Sequence, residues 1–250
     1  MNRLAWLLLA AAPVVLAQDA RSIVAEAQRR AEASSQRYEG YLEVIDARSK
    51  VTKKRWRYDR LGSHGASKAV LRFTEPAEVK GVALLVVNHA DRASDQWMWT
   101  PAIQRERRIA MQDRSSRFFG TDFSFEDLEE RDVDQYEYKM LGEEAVNGEP
   151  CWYMEARPRK GKSSQYTASR LWIRKANYVT ARIDSYIKDQ VVRRLIYSDV
   201  VRVQGIWTAR NLEMTDLRRG SRTLLKLDKL EYNLPMKSDD FTLQAMRRES

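Results

Sequence analysis

The stretch Val82-Ala83-Leu84-Leu85-Val86-Val87-Asn88 decides how this chain is read. Read as a strand, it puts Val82, Leu84 and Val86 on one face and Ala83, Leu85 and Val87 on the other. An antiparallel sheet with one wet face alternates apolar and polar residues. Both faces of this strand therefore need a cover. The sequence offers three: a helix near the N-terminus, the irregular segment 111–131, or a ligand.

Working outward, neighbouring stretches also read as strands: 68–74 (KAVLRFT), 95–100 (DQWMWT) and 105–110 (RERRIA). Their connections are short, which points to antiparallel neighbours. Upstream lie 41–47 (YLEVIDA) and 53–60 (KKRWRYDR), the latter followed by a Gly/Ser turn at 61–67. Before them, 20–37 is rich in Ala, Glu, Gln and Arg. Ile23, Val24, Ala27 and Ala31 keep helical spacing, so an amphipathic helix is expected there with Asp19 as its cap. Downstream, 111–131 is irregular and leads into a short acidic helix, with Ser124 and Asp127 spaced as a capping box. Further strands are expected at 135–144, 151–158, 166–175, 178–188, 191–204, 207–216 and 222–232. Asn147-Gly148 and Gln204-Gly205 sit at tight reversals. Residues 237–248 read as a short polar tail. No linker or repeat divides the chain, so one domain over 18–250 is expected, mainly β with flanking helices (α+β), its curved antiparallel sheet carrying a helix.

Residues 1–17 (MNRLAWLLLAAAPVVLA) carry one positive charge at Arg3, an apolar run, and compact residues before the polar Gln18-Asp19. That is the pattern of a cleaved secretory signal peptide. The competing reading, a membrane anchor, needs about 20 apolar residues, more than this run holds. Export to the periplasm is expected. It changes how the formal net charge of +9 is read. In that compartment nucleic acid is not the expected partner; phospholipid headgroups, lipopolysaccharide or an acidic protein face are. The other reading is a solvated basic surface with no partner.

The chemistry-bearing residues are few. There is no G-x-S-x-G, H-E-x-x-H, C-x-x-C, P-loop or G-x-G-x-x-G motif. One cysteine excludes a disulfide scaffold and a zinc ribbon. Cys151, between Pro150 and Trp152 on a strand, reads as a buried apolar side chain. His64 lies in a turn where exposure is the default. His89 is followed by Asp91, which could orient an imidazole, but no nucleophile is nearby in sequence. The acidic run Glu126, Asp127, Glu129, Glu130, Asp132 and Asp134 could pair carboxylates for acid–base work or hold a cation. It could equally be a wet face at a helix start. No enzyme activity, cofactor or metal is expected.

What stands out instead is apolar and aromatic residues on strands. By strand parity, Leu42, Val44, Leu71, Phe73, Leu84, Val86, Trp97, Trp99 and Leu171, with Phe119 and Phe123 from the irregular segment, could wall an apolar pocket. The same residues could make an ordinary filled core. A register error of one residue would swap the face.

Several runs also resemble the periplasmic LolA-like family of outer-membrane lipoprotein-sorting proteins, in particular the subgroup associated with RND-type exporters. They are Phe73-Thr74-Glu75-Pro76, Val79-Lys80-Gly81, Asp95-Gln96-Trp97, the basic stretch 105–108, and above all 119–128 (FGTDFSFEDL). Later matches are 142–144, Leu171-Trp172-Ile173, Gly205-Ile206-Trp207 and Phe241-Thr242. The resemblance covers about 37–246. It implies a half-open antiparallel β-barrel lidded by helices, with a hydrophobic cavity for acyl chains. The function expected from it is a carrier or chaperone that binds a lipid or lipoprotein acyl chain and passes it towards the outer membrane. Arg105, Arg107, Arg108, Arg114 and Arg117 would then meet headgroups or a partner, such as an RND-type inner-membrane exporter or an outer-membrane acceptor. The rival reading is a non-enzymatic accessory module of such an exporter that binds protein partners without lipid. A monomer is the favoured state.

Overall fold

The structure, a computed structural model, describes residues 19–90 and 92–248. The expected signal peptide at 1–17 lies outside the described residues, as does Asp91.

Strand β1 (Ser35–Ile45) is first in the chain yet central in the sheet. From it the chain winds outward by antiparallel neighbours through β2 (Val51–Leu61), β3 (Lys68–Glu75), β4 (Ala83–Val87), β5 (Asp95–Thr100) and β6 (Arg105–Arg108), which forms one edge. It then crosses to the other edge through 109–135. There it winds inward through β7 (Tyr136–Val146), β8 (Glu149–Pro158), β9 (Ala168–Arg174), β10 (Thr180–Ile187), β11 (Gln190–Val203), β12 (Ile206–Asp216) and β13 (Ser221–Tyr232). β13 pairs with β1, with Leu42 opposite Leu225, and this seam joins the two windings into one 13-stranded antiparallel sheet that is not closed. The expected mainly β architecture with flanking helices is what forms. The seam carries a bulge between Glu39 and Gly40. A Cβ on Gly40 would stand 1.9 Å from the Lys226 carbonyl oxygen, so only glycine fits the close approach of the two backbones.

Helix α1 (Ala20–Arg30) is capped by Asp19, whose side chain accepts from Ser22 N at 3.0 Å. It is shorter than the expected 20–37. Ser34 and Ser35 leave the helix because they find partners at the end of β13: Ser34 N donates to Asn233 Oδ1 at 3.0 Å and Ser35 Oγ to the Leu234 carbonyl at 2.7 Å. Ala20, Ile23 and Val24 pack on Tyr136, Met154, Leu171 and Ile173 of the second winding.

Both faces of β4 are covered, each by a different piece of chain. On one, Phe118 and Phe125 of the crossing segment, with Ile109, pack against Phe73, Leu84 and Val86. Phe118 stacks on Phe73 with ring centroids 5.5 Å apart. On the other, Phe241 and Met246 pack against Val70, Ala83, Leu85 and Trp99. Met246 belongs to α2 (Leu243–Arg248), so the expected polar tail is instead a covering element. Its two buried side chains are the apolar face of a short amphipathic turn and helix.

Candidate functional site

The crossing segment explains the acidic run. An irregular chain passing over the inner face of a sheet must satisfy its polar groups locally. Glu126 accepts from Ser164 Oγ and from Gln165 N at 2.9 Å. Asp127 takes Arg193 at 2.7 Å and the Tyr166 hydroxyl at 2.8 Å. Glu129 takes Arg114 at 2.8 Å and the Gln96 amide at 2.9 Å. Glu130 takes Arg60 and the Ser67 hydroxyl at 2.5 Å. Asp134 reaches Arg21 on α1. Asp127, Glu129 and Glu130 are anchors with largely buried side chains, while Asp134 pairs with Arg21 at the exposed surface. Burial pushes the Glu129 carboxyl up, against the Arg114 charge. Among the described residues no group of His, Cys, Asp and Glu is arranged to hold a metal. Ser124 and Asp127 exchange the reciprocal bonds of the expected capping box, Ser124 N to Asp127 Oδ2 at 2.8 Å and Asp127 N to Ser124 Oγ at 3.3 Å. The element they open, Glu126–Leu128, is only a turn of 3-10 helix.

Beside this filled region lies a cavity of about 470 Å³. It runs under α1, over β9 to β13, and ends against Tyr38 and Trp56 at the edge of the aromatic plug. That volume is within the roughly 300–1,000 Å³ of ligand pockets. The helix offers it Val24, Ala27 and Ala31, and the sheet Leu171, Ile183, Leu195, Leu212, Met214 and Leu225. Small residues on the cover and medium ones on the floor leave the space unfilled. Trp207, 41% exposed, marks an end of the lining near the β11–β12 turn. α1 closes the top with few bonds: Arg21 to Asp134, Gln28 Nε2 to the Arg131 carbonyl at 2.5 Å, and Arg30 4.0 Å above the Tyr178 ring. Desolvation pushes the Tyr197 phenol on the wall up to about 12, so it stays a neutral donor.

Of the expected wall residues, Leu171 lines this cavity. Leu42, Phe73, Leu84 and Val86 are on the inner face but buried under the plug, with Val44, Leu71 and Phe119 packed at its margin. Phe123 is buried within the crossing segment, its carbonyl accepting from Phe118 N at 2.8 Å. Trp97 and Trp99 point to the opposite face, under α2, because β5 is entered with the other parity. Of the expected contact arginines, Arg105, Arg107 and Arg108 are exposed. Arg114 is buried against Glu129 and the Ser94 carbonyl, and Arg117 is held by Asp122 at 2.9 Å and the Thr121 carbonyl at 2.7 Å. Those two tie the segment to itself and the sheet and do not form a surface patch. Cys151 is fully buried. His89 bonds Asp95 at 3.0 Å, and Asp95, held below the usual carboxylate range chiefly by Arg92, also takes Arg108 at 2.6 Å. His64 is a cavity residue that turn-reading missed; its two ring nitrogens are buried and have no partner among the described residues.

An open antiparallel sheet with a helix over an apolar cavity defines a class of binding fold, and the comparisons with known proteins name it. Residues 65–248 match a family model described as "-like: Uncharacterized protein". A domain from Vibrio parahaemolyticus described as an outer membrane lipoprotein-sorting protein is 26% identical, with a TM-score of 0.86 over 91% of this chain and 98% of its own. A DUF1329 family protein from Desulfovibrio piger is 27% identical, with a TM-score of 0.86 over 90% of this chain and 97% of its own. A LolA superfamily protein from Nitrosomonas europaea shares the fold, with a TM-score of 0.72 at 18% identity over 92% of this chain and 100% of its own. No curated protein matches the sequence. The chain belongs to the family of that model and shares the fold of the LolA superfamily protein.

Proposed function

We propose that the chain is a periplasmic carrier that holds the acyl chain of a lipid or lipoprotein in the cavity under α1 and passes it towards the outer membrane. The observation that carries this reading is the unfilled, largely apolar cavity in a sheet whose other half is packed solid. The description of the Vibrio domain supports the cargo class. Burying one CH₂ is worth roughly 0.8 kcal/mol, so a tail of about 16 carbons gains on the order of 12 kcal/mol before ordering costs. No reaction is required: a greasy wall, a lightly held cover and an exit suffice. α1 is the cover: its N-terminal turns are anchored by Ala20, Ile23 and Val24, and its remaining ties are polar contacts that a partner can exchange.

A second reading draws on the β5–β6 hairpin. Ile103 is 67% exposed at its tip, next to exposed Arg105 and Arg107. An apolar tip flanked by arginines suits headgroups or an acidic face of an RND-type exporter. On that reading the chain is an accessory module that need not carry lipid.

Solvent extraction and mass spectrometry of the purified protein separate the two. The carrier reading expects near-stoichiometric lipid in the wild type and little in a folded Ile183→Glu variant. Equal lipid in both, or none in the wild type, overturns it.

A further inference from the structure

The cavity is apolar along most of its wall but holds three arginines, of which Arg30 and Arg60 have carboxylate partners and Arg131 has none among the described residues. Arg131 lines it. Its Nη1 donates to Ser169 Oγ at 3.2 Å, and its guanidinium carbon stands 5.7 Å from the centre of the Tyr136 ring. No described carboxylate pairs with it. The acidic groups nearby are committed elsewhere: Asp127 to Arg193 and Tyr166, Glu129 to Arg114 and Gln96. A guanidinium is always protonated and carries five donors. Away from bulk water, an unpaired charge is costly to keep. Asp127 and Glu129 also border the cavity, but each is already ion-paired and hydrogen-bonded, and the neutral Tyr197 phenol and the His64 ring, whose nitrogens have no partner among the described residues, lie on the same wall.

We propose that Arg131 receives the anionic group of the cargo, so that the cavity selects a single-chain amphiphile bearing a carboxylate or phosphate next to its tail. This rests on the carrier reading and narrows it. The anion completes the donor set of Arg131 that Ser169 only begins to satisfy, in the bidentate manner guanidinium favours. The tail then lies along β12, where Met214 to Trp207 gives roughly 23 Å of strand at about 3.3 Å per residue. Both carboxylate and phosphate headgroups fit this chemistry, and the test distinguishes them.

The test measures displacement of an apolar fluorophore from the delipidated full-length protein by palmitate, methyl palmitate, 1-palmitoyl lysophosphatidate and inorganic phosphate alone. Palmitate or lysophosphatidate should bind about ten- to a hundredfold tighter than the ester, the range that charge-assisted hydrogen bonds span, and the tighter of the two names the headgroup. Arg131→Met should bind the ester as the wild type does and lose the advantage of the acid. Arg131→Lys, which keeps the charge and loses the planar fork, should retain part of it and guards against a Met variant that fails to fold. Equal binding of acid and ester by the wild type overturns the inference and leaves the carrier reading standing. Displacement by inorganic phosphate alone overturns it in favour of a free-anion site. Binding of none of the four overturns the carrier reading itself.

Discussion

The two windings of the sheet are built from the same kinds of strand, yet one is plugged and the other hollow. The winding β1 to β6 receives the crossing segment, which lays Phe118 and Phe119 onto Phe73 and Phe125 against Phe118, with ring centroids 5.2–5.7 Å apart. The winding β7 to β13 is roofed by α1 and its C-cap, which bring Val24, Ala27 and Ala31 together with Gln28 and Arg30 to the cavity, while the end of the crossing segment (Asp127, Glu129, Arg131) borders it. Large aromatic rings fill a concave face; alanines roof it and leave room. The difference follows from topology. Two windings that start at a shared central seam end at opposite edges of the sheet. One long crossing must link them, and here its aromatic rings pack on the first winding while its polar end ties to the second. The proposed cargo site is in the half that the aromatic rings leave unfilled.

The sharpest way to break the contrast is to remove the plug. Phe118→Ala takes away a fully buried ring that touches three others. It should cost about 3–5 kcal/mol of stability, read by urea unfolding, while lipid content of the folded fraction stays at the wild-type level. Loss of lipid at full occupancy of the folded state would show that the plug belongs to the binding wall. A smaller effect is expected at the seam that holds the halves together. Gly40→Ala puts a methyl group against the Lys226 carbonyl and should cost about 1–3 kcal/mol through forced separation of β1 and β13. Unfolding in two steps, with the halves melting apart, would mean that each winding is a folding unit of its own; a single transition keeps them one domain.

Much of this architecture is legible from residues alone, because strands announce themselves through period-two patterns and tight turns. Asn147-Gly148 and Gln204-Gly205 take positive φ at both positions, 51° and 82° in the first and 50° and 88° in the second, as the favoured hairpin turns require. The need to cover both faces of β4 was readable too. Which segments do so was not: Phe241, Leu243 and Met246 lie in a short stretch flanked by charged residues, too brief to set a period. The β1–β13 seam pairs residues nearly the whole chain apart, and no local signal encodes it. The acidic run looked solvated because its arginine partners, such as Arg60, Arg114 and Arg193, come from three distant places. The cavity was the hardest to locate. Leu84 and Leu171 are equally apolar and both face inward, and only the piece of chain lying over each decides whether it is core or wall.

That last point sets the smallest and most informative perturbation. If the hollow half is open only because its cover is small, enlarging the cover should close it at little cost. Ala27 sits on α1 at the roof of the cavity, partly buried and on the apolar side of the helix. Ala27→Phe inserts a ring into space that is already there, so it gains dispersion contacts without displacing neighbours. The change in stability should stay within about 1.5 kcal/mol in either direction, as for swaps that leave total packing tolerable. Lipid recovered from the folded protein should fall several-fold, because the ring occupies the volume the tail needs. The same substitution at a filled site would be destabilising and leave cargo alone, so the pairing of unchanged stability with lost lipid is the signature of a functional void. A strongly destabilised Ala27→Phe protein would show instead that α1 fits the sheet tightly and that the space beneath it is not available to a ligand.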